Sequence, residues 1–183
     1  PMSYRAQAAQ AQPEPDRTLA ARRNPPILEI QKQWLRQQNF ITPDDERTPI
    51  GEGFRRIKRR ILANVTDPAG NLVMVTSALQ GEGKTFCAVN LAISIAMEVD
   101  RTVLLVDADT ARPNVLPALG LQPGLPGLMD VLVDRSIDVA DVVRQTSIEK
   151  LSILPAGTPN RLATEMLASE AMRTLIRELG ERY

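Results

Sequence analysis

Leu72-Val73-Met74-Val75-Thr76-Ser77 runs directly into Ala78-Leu79-Gln80-Gly81-Glu82-Gly83-Lys84-Thr85, and this passage decides the fold. A short apolar, β-branched run reads as a buried strand, the glycines as a turn, and the pattern from Ala88 to Met97 as a helix. Strand, phosphate loop, helix is the order expected of a nucleotide site. Gly81 and Gly83 let successive backbone N–H groups converge on phosphate oxygens. The helix starting near Lys84 adds the positive end of its dipole. Lys84 is placed to reach the β- and γ-phosphates of ATP and the Thr85 hydroxyl to ligate Mg²⁺. Against the G-x-x-x-x-G-K-[ST] template, the first glycine position holds Ala78.

Working outward, Val103-Leu104-Leu105-Val106 is a continuous apolar run that reads as a second buried parallel strand, ending in Asp107 and Asp109. If extended backbone persists through Asp109, both carboxylates point to one side at the strand's C-terminal end, where open α/β sheets bind ligands. Both are then candidate catalytic and metal-side groups. Leu151 to Leu154, with Pro155-Ala156-Gly157 as its turn, reads as a third parallel strand. Short helical patterns are expected over Val115 to Leu119, Gly127 to Val133 and Thr164 to Ala168, and Val139 to Val143 reads as a further short helix or an extended connection. A longer one runs from Ser169, its N-cap, to Glu181. The expectation is an α/β, P-loop NTPase-like parallel sheet with flanking helices.

Ahead of this core, residues 1–24 are rich in Ala, Gln, Pro and Arg and read as a disordered tail. Residues 25–48 read as an N-terminal helical segment, apolar at Ile27, Ile30, Trp34 and Leu35, with Trp34 as a docking anchor; 49–183 is the phosphate-loop domain. A helix from Pro49 to Val65 carries apolar residues on one face and Arg55, Arg56, Lys58, Arg59 and Arg60 on the other. On charge alone, Glu52, Arg55 and Lys58 read as a solvated face with i,i+3 pairs or as a subunit contact.

The totals exclude several classes. With 22 basic and 22 acidic residues, formal charge is zero, which leaves no global electrostatic case for nucleic acid. No histidine occurs, so imidazole catalysis and His-containing metal sites are absent. The lone Cys87 precludes an intrachain disulfide, fits a reducing cytosol, and is expected to be a buried small residue. Nothing resembles a secretion signal or an apolar span of about 18 residues.

Ser77 to Thr85, Leu104 to Pro113, Gly127 to Leu132, and Leu154 to Gly157 followed by Glu165 to Ser169 together resemble the bacterial tyrosine kinases. These are the autokinases of exopolysaccharide synthesis and export, and residues 41–60 and 104–113 resemble their exosortase-associated branch. The resemblance covers about residues 27–183. It implies that Gly81, Glu82, Gly83, Lys84, Thr85 and the adjoining Phe86 bind ATP. It also implies that Asp107 and Asp109 act around Mg²⁺ and an attacking tyrosine hydroxyl. Glu52, Arg55 and Lys58 match a Glu-x-x-Arg-x-x-Arg helix of ring assembly, with Lys in the last place. A transmembrane polysaccharide co-polymerase-type adaptor is the implied partner, and the implied location is the cytoplasm, peripheral to the inner membrane through that partner.

Two departures stand out. The arginine after the paired carboxylates falls at Ala111, with Arg112 next to it. The family continues past Tyr183 with an apolar strand bearing a Walker B aspartate and a tyrosine-rich tail, so the chain reads as truncated, and its neighbouring strands as exposing apolar surface. A ParA/MinD-like ATPase would carry an additional loop lysine where this chain has Leu79. A nucleotide-binding adaptor without phosphoryl transfer is the non-enzyme alternative.

Overall fold

The computed structural model describes residues 26–44, 48–65 and 71–183. The expected tail, Asp45 and most of the turn at 67–71 lie outside the described residues. Helix α1 spans Lys32–Gln37, α2 Pro49–Asn64 and α3 Lys84–Ala96. Strand β1 (Val103–Val106) follows, then α4 (Val115–Ala118), α5 (Leu128–Val133), α6 (Val139–Val142), β2 (Arg144–Gln145), β3 (Leu151–Leu154), α7 (Ala163–Leu167) and α8 (Glu170–Arg182).

The sheet has the order β1-β3-β2. β1 and β3 pair in parallel, Val103 opposite Leu151 through Val106 opposite Leu154, as expected. β2 was not anticipated and runs antiparallel to β3, so the sheet is mixed rather than wholly parallel. Alternation along the strands feeds two cores. Leu105, Leu151 and Ile153 pack with Val89 and Ile93 of α3 and with Ile30, Leu35 and Ile41 from the N-terminal segment. Leu154, with Leu104 and Val106 packed beside it, meets α5, α6 and α8 through Leu128, Leu132, Val142 and Leu175. The apolar stripe of α8 is thereby buried, and Ser169 caps it by accepting from the Met172 amide.

Two expectations fail for the same reason: an apolar run makes a strand or helix only where its backbone groups find partners. Residues 71–77 form no ladder, and Leu72, Val73 and Met74 are exposed. Their anchor is Asn71, whose side chain donates to the carbonyls of Gly180 and Tyr183, both at 2.7 Å. At the N-terminal segment only Lys32–Gln37 is helical. Ahead of it, Leu28 instead bridges in parallel to Thr146.

The N-terminal segment shares the main core. Leu35 is fully buried, and the fully buried Asn90 of α3 accepts from the Ile41 amide at 2.7 Å while donating to the Phe86 carbonyl at 2.9 Å. Phe86 stacks on Phe40, centroids 5.4 Å apart, and meets Phe54 of α2 edge-on.

Candidate functional site

The turn at 78–83 leads directly into α3. Gly81 and Gly83 lie at φ +83° and +90°. A Cβ at either would meet nothing within 4 Å, so torsion rather than crowding demands glycine. Gly83 is the N-cap of α3, and its carbonyl accepts the Cys87 amide at 2.8 Å, so Lys84 and Thr85 open the helix. Within the loop, the Leu79 amide donates to the Glu82 carboxylate at 2.9 Å. Cys87 is exposed, against expectation, because the first turn of α3 stands clear of the core that its later turns enter.

β1 stops at Val106, one residue before the first carboxylate, and the two aspartates part company. Asp107 is 4% exposed and faces inward. It accepts from the amides of Asp109 (3.2 Å), Asn114 (3.0 Å) and Val115 (3.0 Å), fastening the 109–115 loop to the end of β1. Burial pushes its carboxyl above the ordinary carboxylate value, against the pull of those three N–H groups. Asp109 is exposed. One oxygen accepts the Arg112 amide at 3.2 Å, and the other lies 3.8 Å from the Lys84 ammonium. Opposed charges, one from the start of α3 and one from the loop after β1, thus face each other beside the 78–83 turn.

A cavity of about 720 Å³ opens there. Gly81, Gly83, Lys84, Thr85, Phe86 and Asp109 line one part of it, and Arg112 and Trp34 another. Arg112, rather than Ala111, is the arginine the 109–115 loop brings to the cavity. Trp34 and Gln38 were missed as site residues, because only packing of α1 against the loop after α4 carries them there. Among the described residues no cluster of three or more His, Cys, Asp or Glu side chains could hold a metal alone.

The three residues of the expected assembly helix separate. Glu52 is exposed and Arg55 half-buried. Lys58 is 7% exposed and turned inward, pairing with Glu98 and donating to the Ser94 carbonyl at 3.0 Å. Lys58, Arg59 and Arg101 together hold the Glu98 carboxyl below its ordinary value, with the Lys58 hydrogen bond foremost.

No protein-family model matches the chain. Among curated proteins it is similar to the tyrosine-protein kinase YwqD of Bacillus subtilis (strain 168), 33% identical over 147 residues, which are 80% of this chain and 61% of that protein. It is also similar to the succinoglycan biosynthesis transport protein ExoP of Rhizobium meliloti (strain 1021), 32% identical over 139 residues, 74% of this chain and 17% of ExoP. Among solved structures, the chimerical protein CapA2B2 superposes with a TM-score of 0.66 at 30% identity, over 86% of this chain and 67% of that one. The chain therefore spans about three fifths of YwqD and a much smaller share of ExoP. On these matches in sequence and fold, the chain belongs to the bacterial tyrosine kinase family.

Proposed function

We propose that this chain is the ATP-binding part of a protein-tyrosine autokinase serving exopolysaccharide synthesis or export. The carrying observation is the facing of Lys84 and Asp109 at 3.8 Å over a loop whose glycines adopt the phosphate-cradling torsions. Lys84 and the loop amides neutralise charge on the β- and γ-phosphates as it shifts during transfer. The phenolic oxygen of an acceptor tyrosine bonds to the γ-phosphorus as the bond to the β,γ-bridging oxygen breaks. ADP leaves with that electron pair, and the phenolic proton passes to the Asp109 carboxylate. Asp107 acts through the loop it fastens, holding Asp109 and Arg112 in place.

The donor set suits Mg²⁺, which is held by one or two protein oxygens with phosphate and water completing its shell. Thr85 and Asp109 would hold the ion, with Asp107 behind them, and it would supply charge neutralisation at the phosphates. The name of ExoP, a succinoglycan biosynthesis transport protein, supports a role in polysaccharide transport, and the partner in this reading is a membrane-spanning polysaccharide co-polymerase-type adaptor. Peripheral attachment to the inner membrane through that adaptor follows from the same reading. Among the described residues no helix is long and apolar enough to cross a membrane. Ring assembly would use the outer face of α2 through Glu52 and Arg55, with Lys58 supporting the helix from within.

Intact mass after incubation of this chain with Mg·ATP tests the reading. Added mass in steps of one phosphate, abolished by Lys84→Met, is expected. Steady phosphate release without added mass overturns autophosphorylation in favour of an ATPase.

A further inference from the structure

The phosphate-binding reading accounts for one wall of the cavity and leaves the other unused. The remaining lining includes a group made of Trp34 of α1, Pro113 ahead of α4 and Pro117 within it. We propose that it is the subsite for the aromatic ring of the acceptor, and that Trp34 is the residue selecting a phenol there. The proposal rests on the phosphoryl-transfer reading of the same cavity.

Trp34 is held in a fixed orientation. Its indole N–H donates to the Ala118 carbonyl at 2.9 Å, so its polar edge is satisfied. Its five-membered ring lies against Gly120, where a Cβ would come within 2.9 Å of Cγ. Gly120 stands at φ +74°, a torsion glycine adopts freely, so both torsion and space reserve this place for the indole. Next door, Leu35 is fully buried and fixes the helix that carries the ring. With all this docking, Trp34 remains 37% exposed and lines the cavity.

A rigidly held indole presents a flat, largely apolar face to a cavity that two prolines also line. Such a surface rewards an offset aromatic partner beyond simple area burial. Lys84, Asp109 and Arg112 line the same cavity. A phenol on the wall therefore shares one space with the carboxylate that can take its proton and the ammonium that faces the donor phosphate. An aliphatic hydroxyl, as in serine, would lack the ring that the wall holds.

Trp34 is the only tryptophan, so its emission reports on the wall directly. This chain, saturated with Mg²⁺ and a non-hydrolysable ATP analogue, is titrated with N-acetyl-tyrosinamide and separately with its cyclohexylalanine counterpart. The expected result is a saturable emission shift with the tyrosine amide and about tenfold weaker binding of the saturated ring. Trp34→Ala should raise KM for a tyrosyl peptide about tenfold, far more than it lowers kcat, with Trp34→Phe recovering most of the loss and neither changing analogue affinity. Equal responses to the two amides overturn the proposal. So does Trp34→Ala weakening the ATP analogue, which would give the wall to the nucleobase. If the chain binds the analogue but transfers no phosphate, the kinase reading fails separately, and the emission titration still decides the wall.

Discussion

Glu82 and Asp107 are both carboxylates that accept backbone N–H groups, and their settings give them opposite consequences. Glu82 is exposed and holds one amide of the phosphate loop, so it competes with any phosphate for that donor. Glu82→Ala should tighten ATP binding by roughly two- to threefold, the scale of an exposed charge interaction, as measured by calorimetric titration. Asp107 is buried and serves three amides at once. Asp107→Ala leaves those donors without an acceptor and should cost about 2 kcal/mol or more. Amide exchange at Asp109, Asn114 and Val115 should accelerate well before the chain unfolds globally. A melt that is unchanged, with exchange unchanged, would remove Asp107 from its positioning role.

Among the elements, α2 is held to α3 by a mixed contact. Phe54 packs at the edge of the Phe40–Phe86 pair, and Lys58 reaches across to Ser94 and Glu98. Lys58→Ala should lower stability by about 1.5–3 kcal/mol, the scale of a hydrogen bond from a charged donor. Glu52→Ala with Arg55→Ala should lower the mass seen by light scattering. The Glu98 carboxyl sits below its ordinary value, so the unfolded chain binds its proton first as pH falls. Its contribution is therefore present at neutral pH and lost on acidification through the lowered value. Glu98→Gln should flatten that acid limb of stability against pH and leave the neutral limb in shape unaltered.

At the scale of the whole molecule, two cores share one narrow sheet, and β3 is the element common to both. Ile153 is fully buried toward α3, and Leu154 is fully buried toward α5 and α8. Ile153→Ala should cost about 2–5 kcal/mol and lower both halves together in urea, since the strand that supports them is one. Met74→Ala, at 82% exposure, should fall within about 0.5 kcal/mol of the parent in this chain.

Much of this was legible beforehand. The left-handed turn before α3 follows from Gly81 and Gly83, because torsional freedom is a property a residue carries wherever it lies. The helices α2, α3 and α8 follow from apolar spacing, a Pro start and the Ser169 cap, which are local. The parallel pair β1 and β3 follows from two apolar runs separated by helices. What sequence could not supply was pairing and orientation, which depend on residues distant along the chain. The run at 72–77 has strand composition, but no ladder forms without a neighbouring backbone. Asp107 and Asp109 look equivalent on paper, yet one turns in to fasten a loop and the other out to face Lys84, because the strand ends at Val106. Lys58 reads as surface until α2 is laid against Ser94 and Glu98. Trp34 lies 50 residues before Lys84 in the chain, and only tertiary packing puts both on one cavity.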